Sequence, residues 1–194
     1  MSLAAPPKSR GAMKSSDPLP VTVEELIPSW FTKILGKSVK DAEIVEAIHG
    51  TVSKILVKLT YENSADNDNS STRVCIKDDF NPALVKSLPF MFAVYRLEAK
   101  FYYYLAPKIA MPLPPVVWAG TDTVNGQDLV VLADLKAEEY TFGNPLEPWP
   151  VDRVRASVEQ LAVLHASTWD DTGEDIPSLS ETISYLAFSM ILHR

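Results

Sequence analysis

The stretch "STRVCIKDDF", residues 71 to 80, ends an apolar segment with a lysine and two aspartates. Side chains alternate between the two faces of a β-strand, so Val74 and Ile76 share one face while Cys75 and Lys77 share the other. The apolar pair predicts that the first face lies against a core. The lysine predicts that the second face lies next to a group with which a cation can interact.

Composition limits what that partner is. The chain has 194 residues, of which 46% are hydrophobic and 22% charged, an ordinary globular composition. Its net charge of -7 argues against a nucleic-acid-binding surface. Cys75 is the only cysteine, so an intrachain disulfide and a cysteine-built zinc site are excluded. Without an apolar signal region or a run of about 18 apolar residues, we predict a cytoplasmic protein with no membrane span.

The N-terminal part divides into two stretches. Residues 1 to 20 are rich in Pro, Ser, Ala and Lys without periodicity, which predicts a disordered tail. "VTVEELIPSWFTKILG" then shows apolar residues at helical intervals, with Thr22 and Glu25 at capping-box spacing and Gly36 as a stop. Pro28 lies inside this pattern, so a kink or a second helix start is expected there.

The middle of the chain alternates as strands do. Ile55, Val57 and Leu59 share one face of a period-2 pattern, which is typical of a half-buried antiparallel strand. Two further strands are predicted in "MPLPPVVWAG" and "NGQDLVVLADL", and a helix is predicted to open at Pro150. The remaining predictions are strands over about 42–49, 52–61 and 72–77 and a helix over about 90–105. The predicted class is therefore α+β with a five-stranded antiparallel sheet.

Five motifs, and their order along the chain, indicate a fold family: "HGTVSKILVKL", "VCIK", "EAKFYYYLAP", "LVVLADL" and "LAVLHASTW". Together they resemble the N-terminal lobe of the protein-kinase-like fold. The local text looks most like the aminoglycoside phosphotransferase and choline-kinase-like small-molecule kinases, over residues 21 to 169. The resemblance implies a kinase-like N-terminal lobe with a glutamate-bearing helix over residues 21–136. A linker and the first helices of an incomplete C-terminal lobe follow over residues 137–194.

In such folds the strand lysine contacts the α- and β-phosphates of ATP, and a carboxylate on the next helix orients it. The resemblance implies that these residues are Lys77 and Glu98. Read from the residues alone, Lys77 could instead end its strand in solvent beside Asp78, with Glu98 a surface helix charge.

The resemblance also assigns the rest of an ATP site. The backbone of Gly50, Thr51 and Ser53 would approach phosphate oxygens, although a lone glycine is as often only a hairpin residue. The segment "LVVLADL" resembles the hinge strand of these kinases, which borders the nucleotide pocket. Adenine would be held by backbone groups of Ala133 and Leu135, and Leu132 and Cys75 would line its pocket. The relatives usually carry an acidic residue where Ala133 stands.

The catalytic residues of these relatives lie in an "HGD…N" segment after the "LHA" helix, and a later aspartate holds Mg²⁺. The only histidines here are His49, His165 and His193, so no catalytic or metal residue is assigned. His165 is expected to pack in the core or support the site, and Asp170, Asp171 and Asp175 to lie in a solvated turn. ATP is the expected cofactor, with Mg²⁺ only where the rest of the C-terminal lobe is supplied.

Three interpretations follow. The chain is the ATP-binding portion of a kinase that phosphorylates a small-molecule alcohol, inactive alone; or it is a non-catalytic nucleotide-binding or interaction module; or it is a truncated gene product. The end of the chain, "ETISYLAFSMILHR" over residues 181–194, has an apolar stripe broad enough to predict self-association.

Overall fold

The computed structural model describes residues 13–62, 71–81, 87–88, 91–122, 124, 126–138, 140–144 and 146–169. A single turn of 3₁₀ helix (Val23–Glu25) precedes the first α-helix. The strands are β1 (Val39–Ile48), β2 (Ser53–Tyr61), β3 (Ser71–Asp78), β4 (Val116–Thr121) and β5 (Asp128–Ala133), and the α-helices are α1 (Pro28–Leu35), α2 (Met91–Lys100) and α3 (Val151–Ser167).

The five strands form one antiparallel sheet in the order β1-β2-β3-β5-β4. Val57 lies opposite Val74, and Ile76 lies opposite both Ile55 and Val131. Paired residues in a sheet share a face, so these side chains form one apolar layer. The prediction of an α+β chain with a five-stranded antiparallel sheet is confirmed.

The main core lies between this layer and α1. Phe31 of α1 is fully buried against it. Pro28 is the first residue of α1, where its missing N–H costs no hydrogen bond, so the predicted second helix start is confirmed. Gly36 ends the helix at φ +63° and donates its N–H to the Thr32 carbonyl. The Glu25 carboxylate accepts the N–H of Val21 at 2.7 Å rather than that of Thr22.

The opposite face of the sheet packs on α2 and on the turn that follows it. The predicted helix over 90–105 changes at Phe101 from α to a π turn (Phe101–Leu105), with Ala106 donating its N–H to the Phe101 carbonyl at 2.9 Å. The hydrogen bond of a π turn spans one more residue than that of an α-helix. Phe101, Tyr102 and Leu105 are thereby all buried against Val130 and its neighbours in the sheet.

The segment before residue 21 is part of the fold. Lys14 bridges to Thr121 at the edge of β4, and Leu19, only 2% exposed, donates its N–H to Asp122 at 2.8 Å. Gln127 donates to the Pro20 carbonyl at 3.1 Å. The predicted disordered tail is therefore wrong for residues 13 to 20, because long-range pairing supplies partners that local periodicity does not reveal. Residues 1 to 12 lie outside the described residues.

Several apolar side chains of helix α3 are exposed to solvent. Val151, Val154 and Val158 are exposed among the described residues, and so is His165, which was expected to pack or support the site. Leu164 packs against the apolar cluster between the sheet and the π turn. Among the residues that the structure describes, no helix has both the length and the apolar run that crossing a bilayer requires. The predictions for residues 170 to 194, self-association included, lie outside the described residues.

Candidate functional site

Lys77 and Glu98 form an ion pair between β3 and α2. The Lys77 Nζ donates to the Glu98 Oε1, and the two side chains are only 21% and 25% exposed. The contact predicted between these residues is confirmed, and the alternative of a solvated lysine beside Asp78 is excluded for this structure. Partial burial strengthens the attraction relative to a surface pair, because less water screens it.

The pair lies on the α2 face of the sheet together with Cys75 and Leu132. Strand register places Cys75 directly opposite Leu132, and Leu132 is buried in the layer below α2. Cys75 is half-buried, and burial raises the pKa of its thiol although the Lys77 ammonium opposes that shift. The parity read from the sequence is thus correct: the second face of β3 carries Cys75 and Lys77 towards α2.

The turn between β1 and β2 is held from α2. The Tyr95 hydroxyl donates to the Thr51 carbonyl, and the Tyr95 ring packs against Val52. Gly50 does not have the positive φ that favours glycine, and a Cβ built there would meet only the Val52 carbonyl oxygen, at 3.7 Å. The fold itself therefore has room for a side chain at Gly50.

Ser53, unlike the exposed Gly50 and Thr51, is buried. Its side chain is almost fully buried, with its Oγ 3.3 Å from the His49 Nδ1. Its hydroxyl faces the protein in this structure, so any contact with a ligand would come from its backbone. His49, given no role from the sequence, is the partner of that hydroxyl.

The backbone at the end of β5 is partly free. Ala133 donates its N–H to the Pro115 carbonyl at 2.9 Å, and Leu135 accepts at its carbonyl from two following amides. Opposed residues in an antiparallel pair normally exchange two hydrogen bonds, but Pro115 has no N–H to return. The Ala133 carbonyl consequently lacks that bond, and it stands two residues from the Leu135 amide.

Asp134 fixes the turn after β5. Its buried carboxylate lies 2.9 Å from an Arg73 nitrogen and accepts the N–H of Lys136 at 3.0 Å. Its own N–H donates to the Arg73 carbonyl at 3.2 Å. The acidic residue that the resemblance places at Ala133 is absent there, but a buried carboxylate one residue later holds the same segment. Sequence reasoning missed it, although an aspartate directly after an apolar strand was the available signal.

Two further carboxylates, those of Asp78 at the end of β3 and Asp128 at the start of β5, are buried. Neither Asp78 oxygen accepts a hydrogen bond of good geometry; burial raises the Asp78 pKa, helped by charges on Asp128, Asp79 and Glu98. Burial also raises the pKa of Asp128 to about 6, although Arg96, 3.3 Å away, opposes the shift. These residues were also missed. In the described ranges, no three histidine, cysteine or carboxylate side chains are arranged to hold a metal ion.

The sequence model of the Ecdysteroid kinase-like family matches residues 50 to 170, more than half of the chain. The chain belongs to the ecdysteroid kinase-like family. This family is kinase-like and falls in the protein-kinase-like superfamily, so the broad resemblance is confirmed. The match begins at the β1–β2 turn and includes Lys77, Glu98, the end of β5 and α3. The narrower resemblance to aminoglycoside phosphotransferases and choline kinases stays a prediction. No curated protein and no solved structure matches the chain.

Proposed function

We propose that this ecdysteroid kinase-like chain supplies the ATP-binding lobe of an enzyme that transfers the γ-phosphoryl group of ATP to a hydroxyl of a small molecule. The observation that carries the proposal is the half-buried Lys77–Glu98 pair between β3 and α2. Phosphoryl transfer depends mostly on positioning and on neutralising phosphate charge. A lysine ammonium that Glu98 orients near the end of β3 can both position a phosphate group and neutralise its charge.

The other residues fit the parts of a nucleotide. In the proposal, Lys77 contacts the α- and β-phosphates, Glu98 orients it, and the Gly50–Ser53 backbone approaches the phosphate oxygens. The adenine ring lies near Cys75 and Leu132 on the same face. The Ala133 carbonyl, left without its pair partner by Pro115, accepts from the adenine amine, and the Leu135 N–H donates to the ring.

Among the described residues no three histidine, cysteine or carboxylate side chains are grouped around a metal position, and the carboxylates that hold Mg²⁺ in the relatives belong to the C-terminal lobe. We therefore assign no metal-dependent step to them. Metal, catalytic base and acceptor alcohol would be held by a C-terminal lobe with the "HGD…N" segment, which the 194-residue sequence does not contain. This chain alone is expected to bind ATP without consuming it, as measured by phosphate release over time.

Titration of the purified chain with ATP in a calorimeter tests the proposal, with Lys77→Met as the site variant. A hydrogen bond to a charged group contributes about 1.5–3 kcal/mol, so the Kd for ATP is expected to rise roughly 10- to 100-fold. Lys58→Met is the matched control, because Lys58 is an exposed lysine further along β2. Equal Kd values for Lys77→Met and the unchanged chain, or no ATP binding by the latter, would overturn the proposal.

A further inference from the structure

Tyr95 is a buried tyrosine whose hydroxyl makes a hydrogen bond to the β1–β2 turn. It is 2% exposed, Val52 and Val94 pack against it, and its hydroxyl donates to the Thr51 carbonyl. Burial raises the pKa of Tyr95 to about 12, with the Asp79 and Asp78 charges adding to the shift. The hydroxyl therefore keeps its proton, and remains a donor, throughout the neutral pH range.

Tyr95 and Glu98 are three residues apart on α2, so both lie on one side of the helix. Glu98 holds Lys77 at the end of β3, and Tyr95 holds Thr51 in the turn before β2. Strands β2 and β3 are paired directly, with Lys54 opposite Lys77. The turn, the two strands and α2 thus form a closed ring of contacts, in which one helix sets the positions of both the turn and the lysine.

The hydrogen bond also orients the turn. The Thr51 carbonyl and the Val52 N–H belong to one planar trans peptide and point in opposite directions. A carbonyl held towards α2 therefore aims the Val52 N–H away from the helix. Without the tyrosine hydroxyl, that peptide is free to rotate, and the donors of the turn lose a common direction.

We infer that Tyr95 is a positioning residue that holds the β1–β2 turn in register with Lys77, so that turn and lysine bind the phosphates of one nucleoside triphosphate. The inference rests on the proposed function. It assigns Tyr95 to recognition of the triphosphate and leaves recognition of the adenosine part to the end of β5. Loss of the hydroxyl is accordingly expected to weaken ATP binding selectively.

Tyr95→Phe removes the hydroxyl and keeps the packing against Val52 and Val94. The Kd values for ATP and for adenosine are measured for the full chain, with Tyr61→Phe, at the other end of β2, as the matched control. We expect a roughly 2- to 10-fold weaker ATP affinity in Tyr95→Phe and an unchanged adenosine affinity, because one neutral hydrogen bond is lost. Equal weakening of both ligands, or no weakening, would overturn the inference.

A second readout needs no ligand. Amide hydrogen exchange of nucleotide-free protein is compared in peptides that cover the β1–β2 turn and β5. Faster exchange in the turn alone, in Tyr95→Phe but not in Tyr61→Phe, supports the tether, whereas unchanged exchange overturns it. If the unchanged chain binds no ATP, the proposed function and the triphosphate role both fail, and the exchange result separates that failure from a failure of the tether.

Discussion

At the scale of single residues, the end of β3 separates charges between two faces. Lys77 points to α2 and pairs with Glu98, while Asp78 points into the opposite layer and is 1% exposed. Register places Asp78 across from Ser53, which is also buried. A carboxylate in such surroundings is costly, because burial removes its water and the backbone hydrogen bond from Asp79 only partly offsets that loss. The same short stretch therefore holds an ion-paired lysine and a buried carboxylate on opposite faces.

Asp78→Asn is expected to raise the free energy of unfolding at pH 7. The Asp78 pKa is raised above its unfolded value of 3.8 by burial, so this carboxyl contributes stability that is complete below pH 3.8 and lost as pH rises through the folded pKa. The amide has no such dependence. Urea unfolding from pH 8 to pH 4 should show the gain of the variant shrinking as pH falls, and Asp41→Asn, exposed on β1, should show none. A variant less stable than the unchanged chain at pH 7 would contradict this account.

Pro115→Ala is expected to weaken adenosine binding. The new N–H can return a hydrogen bond to the Ala133 carbonyl, which would then compete with the adenine amine. One hydrogen bond contributes about 0.5–1.5 kcal/mol, a roughly 2- to 10-fold change in Kd by calorimetry. Pro114→Ala makes the same chemical change one residue earlier and should leave the Kd unchanged. Identical effects of the two variants would count against a role for the Ala133 carbonyl.

At the scale of elements, α2 organises the site. Ala99 is fully buried below the sheet, which brings the helix close to β5, and the π turn that follows buries Phe101, Tyr102 and Leu105. From this anchored position the helix reaches β3 through Glu98 and the β1–β2 turn through Tyr95. The turn itself has few restraints of its own, so its behaviour with and without nucleotide is the most direct test of its role.

Gly50→Ala separates folding from ligand approach. The site has room for a Cβ and no positive φ, so stability should be unchanged or higher by up to about 1 kcal/mol. ATP affinity should fall if the backbone at Gly50 approaches phosphate oxygens. Gly36→Ala is expected to behave oppositely, losing about 1 kcal/mol at its φ of +63° with ATP affinity intact. Unchanged ATP affinity in Gly50→Ala would leave Gly50 as a hairpin residue only.

At the scale of the whole molecule, the N-terminal segment ties the end of β4 to the main core. Lys14 forms a single bridge to Thr121, the last residue of β4, and Leu19 enters the main core beside α1. The segment therefore contributes both to the core and to the pairing at the end of one edge strand.

Leu19→Ala is expected to lower the free energy of unfolding by about 2–5 kcal/mol, as deletion of a fully buried leucine does. Chemical denaturation monitored by tryptophan fluorescence measures it. Leu146→Ala serves as control, because Leu146 is 90% exposed and its loss should change stability by about 0.5 kcal/mol or less. A small effect at Leu19 would show that the segment adds little to the core.

Strand parity and spacing were sufficient for much of the site. Alternation placed Cys75 and Lys77 on one face, and motif order led to Glu98 as the partner of Lys77, both as observed. Tyr95 and Asp134 were not predicted. Their roles depend on contacts with Thr51 and Arg73, 44 and 61 residues away along the chain, that no local pattern encodes.

The amino-acid sequence by itself determined the α+β class, the antiparallel sheet, an interruption of the first helical segment at Pro28 and the facing of Lys77. These follow from periodicity and from backbone preferences, which act over a few residues. Only the tertiary structure decided that Lys14 bridges to the end of β4 and Leu19 enters the core, that the Asp78 carboxylate is buried with no well-formed hydrogen bond among the described residues, and that Tyr95 contacts the β1–β2 turn. Such features depend on which distant groups meet, and burial, hydrogen-bond partners and pKa shifts exist only once they have met.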